Sequence, residues 1–163
     1  MITRVTPVAL CSIVLLAAWL GAVLLAAAVV APAAFAVLPS RTLAGALVGR
    51  VLPAIFWSGL ILGVVVAVLA RLMGAGTLGI GAALSFAAAC AVAQLYIAPR
   101  IERVRAAIGG PVDALDPLDP RRQAFGRLHG LSVLWMGIGA LAALVALVAL
   151  LRLASDKLID TSR

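Results

Sequence analysis

Four polar residues that could form a binding site lie near the ends of two long apolar runs. Gln94 and Tyr96 come near the end of one run, and His129 and Ser132 near the start of the next. On a helix, His129 and Ser132 would lie one turn apart on one face. If the apolar runs cross a membrane, polar groups within them are costly unless they are paired, so they are default functional candidates. We expect these four residues to meet between two antiparallel helices.

Each candidate also has a purely structural interpretation. Tyr96, Trp57 and Trp135 fit an interfacial aromatic belt better than a ligand cage. Gln94 can bond across helices, and His129, the single histidine, is typical of a helix–helix hydrogen-bonding partner rather than a metal or haem ligand. A closed zinc site needs more ligands than the sequence supplies, so we predict neither a metal nor a cofactor.

Three aspartates and two cysteines are the other residue types that could bind an ion. Asp113, Asp116 and Asp119 recur at intervals of three, a spacing that suggests a cation site. Asp-Pro pairs favour turns, however, and Asp119 before Pro120 predicts a helix N-cap followed by a proline in the first turn. Cys11 and Cys90 stand apart within apolar runs and predict small hydrophobic packing residues, with no disulfide.

The composition excludes an ordinary soluble domain. Of 163 residues, 65% are hydrophobic and 12% are charged, against roughly 25% charged in soluble proteins. The net charge of +7 does not predict nucleic-acid binding, because the basic residues sit at the ends of apolar runs and not in one patch. No Walker loop, dinucleotide fingerprint, HExxH or Gly-x-Ser-x-Gly elbow is present, so we predict a protein that is not an enzyme.

Charge-free intervals predict an all-α integral membrane protein with a four-transmembrane-helix bundle. Each interval supplies the ~20 apolar residues that cross a bilayer. The expected helices cover residues 8–38, 51–72, 77–108 and 120–154 of one domain. Pro32 and Pro99 predict kinks, and Pro53 is expected in the first turn of the second helix. A cleaved signal peptide is the alternative for the first run, but its 36 uncharged residues far exceed the ~7–15 of a signal core.

Small residues at four-residue spacing predict close helix packing. The glycines assigned to packing are Gly59, Gly63, Gly81 and Gly139. Gly59 and Gly63 form a GxxxG pair, for which packing within the chain and homodimerisation both stay open. The expected partners are the lipid bilayer and, beyond it, other membrane proteins or a second copy.

Basic residues predict the orientation. Eight arginines fall on one side of the expected membrane, and five basic residues, with both termini, fall on the other. The positive-inside rule makes the first side cytoplasmic, so both termini are expected outside a bacterial inner membrane.

Several spaced motifs resemble the transmembrane protein 205-like family, also described as domain of unknown function 4149. They are Trp19-Leu20-Gly21-Ala22, Val30-Ala31-Pro32-Ala33-Ala34-Phe35, Leu38-Pro39-Ser40-Arg41, Ala44-Gly45, Val48-Gly49-Arg50, Pro99-Arg100-Ile101, Phe125, Leu128-His129 and Ser132. The resemblance implies a small four-helix membrane protein and no particular biochemistry. A more distant likeness to copper-resistance-D-type proteins would imply metal or haem handling, but those are richer in histidine.

The sequence therefore predicts an accessory or scaffold component of a membrane. The alternative is a cofactor- or small-molecule-binding membrane protein, handling haem or a metal or assisting transport, with its site around His129. A membrane enzyme is the third hypothesis.

Overall fold

The apolar runs form four long helices. The computed structural model describes the backbone of residues 5–161 and the side chains of residues 7–156. Within that range, four helices are long and apolar enough to cross a membrane, namely span 1 (Pro7–Val37), span 2 (Arg41–Leu72), span 3 (Thr77–Ile108) and span 4 (Pro120–Asp156). The predicted all-α four-helix membrane bundle is confirmed.

The spans are built from six α-helices. These are α1 (Val5–Leu25), α2 (Ala31–Val37), α3 (Arg41–Leu72), α4 (Thr77–Ala91), α5 (Ala98–Ile108) and α6 (Pro120–Thr161). Two π-helical segments, Ala26–Val30 and Val92–Ile97, join α1 to α2 and α4 to α5. Span 1 and span 3 are therefore each a continuous but irregular helix, whereas span 2 and span 4 each lie within a single α-helix.

Both π-helical segments end directly before an Ala-Pro pair, at Pro32 and Pro99. A proline inside a helix has no N–H to donate, and its ring crowds the carbonyl of the residue four positions earlier. A wider π turn is one of the known ways in which a helix accommodates such a disturbance. The irregularities thus occur where the sequence predicts kinks.

The second helix begins ten residues before the predicted start near residue 51, at Arg41. Ser40 has an extended backbone, and its Oγ atom accepts a hydrogen bond from the Leu43 N–H at 3.2 Å, which makes it the N-cap. Pro53 consequently lies inside the helix and not in its first turn. The prediction was wrong because it equated the helix start with the end of the apolar run. The helix instead continues through Arg50.

The four spans pack in a closed ring, each against its neighbours in sequence, with span 4 against span 1. Close contacts set the antiparallel register between them. Gly63 lies against Ala87 in spans 2 and 3, and Gly79 lies against Ala149 in spans 3 and 4. Because neighbouring spans run in opposite directions, spans 1 and 3 are parallel and lie diagonally across the ring.

Spans 2, 3 and 4 continue past the arginine that bounds each apolar run, at the same end of the bundle. Arg50 and Arg71 bound the apolar part of span 2, and at 1.5 Å per residue they are about 32 Å apart, close to the thickness of a hydrocarbon core. Gly49 of span 2 lies beside Arg105 of span 3, so the two helices extend together beyond this level. We call residues 31–50 and 98–129 the cap.

The centre of the bundle, between the cap and the other end, is filled by aromatic rings. The Nε1 atom of Trp19 donates a hydrogen bond to the carbonyl oxygen of Ile55 at 3.0 Å. The Trp19 indole also meets the Phe86 ring edge-on, with centroids 4.5 Å apart. Phe86 is fully buried and Trp19 is nearly so. Two glycines, Gly59 and Gly139, provide the space into which these rings fit.

Candidate functional site

Gln94 and Ser132 lie at a similar depth on spans 3 and 4. Gly139 packs against Ala89. Spans 3 and 4 are antiparallel, so seven residues closer to the cap the same register places Ser132 level with the π-helical segment Val92–Ile97. Ser132 is buried. The Oε1 atom of Gln94 is also buried, and it has no hydrogen-bond partner in the described part of the chain. A buried acceptor without a donor costs about 1–3 kcal/mol, so Gln94 is the polar group that most needs a partner.

Tyr96 faces outward and not into the bundle, with 57% of its surface exposed. The guanidinium of Arg100 lies over its ring at 3.3 Å, and the same guanidinium donates a hydrogen bond to the Tyr96 carbonyl oxygen at 2.7 Å. Trp57 is likewise exposed. An aromatic ring covered by an arginine at the edge of the apolar layer fits the interfacial belt better than a ligand cage.

His129 is exposed, although the sequence suggested that its ring could point into the bundle. Its ring stacks on that of Phe125, with centroids 6.3 Å apart and planes 4° from parallel. Residues three apart on an α-helix differ by about 60° around its axis. At the edge of a packed face that angle is enough to bury Ser132 and expose His129. The structure therefore brings Gln94 and Ser132 to one level but does not join all four residues in one cluster.

A group of residues in the cap, which we call the Arg105 cluster, was not predicted as a cluster, although His129 was one of the four candidates. It comprises Gly49, Glu102, Arg105, Phe125 and His129. The Nη1 atom of Arg105 pairs with Glu102 at 3.0 Å, and its guanidinium carbon lies 5.8 Å from the centre of the Phe125 ring. A side chain on Gly49 would lie 3.6 Å from the same guanidinium. One arginine thus contacts three of the spans. Two features of the sequence could have indicated this cluster. Gly49 has no side chain and so leaves room for a neighbour, and Phe125 is one of the residues that carry the family resemblance.

The aspartates of residues 109–119 stabilise turns and a helix start. Asp116 accepts a hydrogen bond from the Leu118 N–H at 2.7 Å. Asp119 caps α6 by accepting from the Arg121 N–H at 2.8 Å, and its other oxygen pairs with the Arg121 guanidinium at 2.8 Å. These side-chain and backbone hydrogen bonds from Arg121 lower the pKa of Asp119. Two of the three aspartates therefore have a structural role, as the Asp-Pro turns predict.

The four packing glycines have different environments. A methyl group on Gly59 would lie 2.6 Å from the Cys90 sulfur, and one on Gly63 would lie 2.8 Å from the Ala87 nitrogen. Gly139 is also buried, but its neighbours leave ordinary van der Waals distances of 3.6–3.9 Å. Gly81 is exposed with nothing nearby, at an open groove between spans 3 and 4. The assignment of Gly81 to packing was therefore wrong. The face of span 2 that carries Gly59 and Gly63 is covered by span 3 of the same chain.

Taken together, these side chains can bind polar or anionic groups. The Arg105 cluster presents a guanidinium and an imidazole in the cap, and both groups can donate hydrogen bonds to anionic groups. Cys90, the buried thiol, packs against Gly59 and Gly139 in the bundle centre.

The comparisons with known proteins place the chain in a family. No curated protein and no solved structure matches it. A family model does match, over residues 14–109, which include spans 2 and 3, most of span 1 and the cap as far as Gly109. Phe125, His129 and Ser132, which carried part of the resemblance, lie beyond the matched residues. The matching model is described as "Domain of unknown function (DUF4149)", and the chain belongs to that family.

Proposed function

We propose that the protein is a non-enzymatic accessory or scaffold component of a bacterial inner membrane. Its cap is the surface on which another protein docks. The observation that carries the proposal is the extension of the helices past the apolar layer into a folded end. Arg105 ties three spans together there, and Arg122 donates a hydrogen bond to the Leu115 carbonyl oxygen that holds the loop to α6. A rigid end outside the lipid is a suitable docking surface for another protein.

The filled centre of the bundle supports a scaffold over a transporter. Transporters bind their substrates near the middle of the membrane, between helices that can separate. Here Trp19 and Phe86 occupy that position in edge-to-face contact, with Gly59 and Gly139 backed against them. Four helices closed around aromatic rings make a stable anchor for the cap.

The proposed orientation has the cap in the cytoplasm and both termini outside. The side with the cap carries Arg41, Arg50, Arg100, Arg103, Arg105, Arg121, Arg122 and Arg127. Arg71 and Arg152 mark the opposite end; Arg4, Lys157 and Arg163, which were also counted there, lie outside the residues whose side chains the structure describes. The excess of positive charge supports a cytoplasmic cap.

Photocrosslinking in native membranes tests the scaffold proposal. Leu47 in the cap and Leu144 in span 4 are similarly exposed, at 44% and 47%. Replacing Leu47 with p-benzoylphenylalanine should give discrete protein adducts on irradiation, whereas the same replacement at Leu144 should give mainly lipid adducts. Leu118, an exposed residue of the cap, is a second site for the same replacement. Absence of protein adducts from both Leu47 and Leu118 would contradict the proposal. So would substrate turnover by the purified protein that a point substitution abolishes.

A cofactor- or small-molecule-binding role is the second candidate, and the unpartnered Oε1 atom of Gln94 favours it. A ligand hydroxyl or amide at this level could donate the missing hydrogen bond. Absorption spectra and elemental analysis of protein from native membranes should then show a bound group, and the Gln94→Leu variant should lose it. If no group copurifies and Gln94→Leu is as stable as the wild type, this candidate fails.

Two narrower proposals rest on the same observations. The transmembrane protein 205-like motifs support membership of that branch of the family. Partners, whether other membrane proteins or a second copy, should approach the cap and not the Gly59/Gly63 face, because that face is buried against span 3.

A further inference from the structure

Four buried residues of span 1 have buried counterparts in span 3 when the two spans are compared at a constant offset of 67 positions. Ser12, Leu16, Trp19 and Val23 are buried in span 1, and the positions 67 further on, Gly79, Ala83, Phe86 and Cys90, are all buried in span 3. Regular burial alone could arise in any two helices of one bundle, since packed helices bury every third or fourth residue.

The same offset also aligns features that helical periodicity does not explain. It carries Ala31-Pro32 onto Ala98-Pro99, and the π-helical segment Ala26–Val30 onto residues 93–97 of the segment Val92–Ile97. It carries Trp19 onto Phe86, the two rings that meet in the centre of the bundle. One alignment of span 1 with span 3 therefore matches four features: the buried positions, the Ala-Pro pair, the π-helical segment and the central aromatic ring.

Span 2 and span 4 show a second constant offset, of 80 positions. Gly59, Gly63, Val66 and Ala70 are buried, and so are their counterparts Gly139, Ala143, Ala146 and Leu150. The helix starts correspond as well, because Arg41 and Arg121 are the first and second residues of their helices. The offset exceeds that of the first pair because the connection between spans 3 and 4 is longer than the one between spans 1 and 2.

The contacts follow the same relationship. Gly59 of span 2 lies against Trp19 of span 1, and its counterpart Gly139 of span 4 lies against Phe86 of span 3. Gly59 leaves less room than Gly139, as expected from the larger size of an indole than of a phenyl ring. In the closed ring, spans 1 and 3 are diagonal to each other, as two units related by a twofold axis along the membrane normal would be.

We infer that the bundle consists of two copies of one helical hairpin, residues 7–72 and 77–156, packed about a pseudo-twofold axis that runs between Trp19 and Phe86. The inner face of each hairpin is an interaction surface, and the partner that it fits is another copy of the same hairpin.

This relationship separates residues of the shared scaffold from residues that one hairpin alone carries. The polar candidates all belong to the second hairpin. Gln94, Tyr96, Arg105, His129 and Ser132 correspond to Ala27, Val29, Leu38, Gly49 and Leu52 in the first. The pattern shared by the two hairpins therefore does not include these polar groups, and their role belongs to the second hairpin.

Moving the central indole from one hairpin to the other tests the inference. Trp19→Phe removes the hydrogen bond to the Ile55 carbonyl, which should lower Tm by about 2–4 °C, equivalent to one buried hydrogen bond. In the double variant Trp19→Phe/Phe86→Trp, the pseudo-twofold axis predicts a hydrogen bond from the new indole to the carbonyl of Trp135, 80 positions after Ile55. We expect that variant to recover most of the lost Tm and to retain a slowly exchanging indole N–H signal in NMR spectra of ¹⁵N-tryptophan-labelled protein.

The matched control is Trp19→Phe/Phe56→Trp, which has the same composition but places the indole at a buried phenylalanine of span 2 with no counterpart relation to Trp19. It should recover neither the Tm nor the protected signal. The inference is overturned if the Phe86→Trp double variant is no more stable than Trp19→Phe. It is also overturned if that variant does not exceed the control, or fails to accumulate in the membrane while the control accumulates.

Discussion

Gly59 lies so close to Cys90 that a methyl group on the glycine would come within 2.6 Å of the sulfur atom. One turn further along span 2, Gly63 stands in a similar relation to Ala87, but there the nearest atom belongs to the backbone. Because a backbone atom cannot rotate away as a side chain can, Gly63 is the residue that limits the separation of spans 2 and 3 most strictly.

We expect Gly63→Ala to lower the free energy of unfolding by about 1–3 kcal/mol, the usual cost of overpacking a tight core. Reversible unfolding in detergent measures the change. The control is Gly81→Ala, where the added methyl group meets nothing within 4 Å, so the greater helix propensity of alanine should raise stability by up to about 1 kcal/mol. Equal losses for the two variants would contradict the role assigned to Gly63.

Arg105→Ala should loosen the cap while leaving the membrane-embedded helices intact. The variant loses the exposed ion pair with Glu102 and the cation–π contact with Phe125, each worth up to about 1 kcal/mol. We expect faster amide hydrogen exchange in residues 98–129 and unchanged exchange near Trp19. Arg103→Ala is the control, since the Arg103 side chain donates a hydrogen bond to the Pro99 carbonyl oxygen of its own helix. Indistinguishable exchange in the two variants would refute the bridging role.

His129→Ala should change the free energy of unfolding by less than ~0.5 kcal/mol, because the imidazole is exposed and stacks on a ring of its own helix. Phe125→Ala should cost more, since Phe125 contacts both His129 and Arg105. Thermal unfolding and bound-metal content of both variants check this. A large loss of stability or of a copurifying group in His129→Ala would instead favour the binding role.

Acid should weaken the start of α6. Hydrogen bonds from the Arg121 side chain and backbone hold the pKa of Asp119 below its ordinary value of 3.8. A carboxylate whose pKa is lower in the folded state stabilises fully above the ordinary value, and the contribution is lost as the pH falls through the folded pKa. The protection factors of the Arg121 and Gln123 amides, which correct for the intrinsic pH dependence of exchange, should therefore fall only below about pH 4. Asp119→Asn keeps the cap but removes the charge, so it should abolish this pH dependence. Persistence of the dependence would assign it to another group.

A reporter fused after Arg163 tests the proposed orientation. Alkaline phosphatase, which is active only outside the cytoplasm, should be active there, whereas a fusion inserted between Gly110 and Pro111 should be inactive. The reverse pattern would place the cap outside and invert the topology.

The fold class was predictable because lipid leaves few alternatives. A chain without water around it must satisfy its backbone internally, so each long uncharged run becomes a helix. Pro32 and Pro99 likewise marked the irregular turns, because a proline inside a helix has no N–H to donate. Pro53 did not mark one, since α3 stays α-helical through it. The start of span 2 was not predictable from hydropathy, since a helix that leaves the membrane keeps its hydrogen bonds through Arg50 and ends only at the Ser40 cap.

Which side of each helix faces inward was decided by tertiary structure alone. Gly63 and Gly81 look alike in sequence, yet one is packed against Ala87 and the other is open. In an ordinary soluble helix, polarity separates the two faces, but here both faces are apolar and lipid is as favourable for leucine as the core is. The sequence by itself therefore determined how many helices cross the membrane and where they bend. Only the packing of Trp19 and Phe86 between Gly59 and Gly139 decided which residues meet, because shape and not polarity distinguishes the inside of this bundle from the outside.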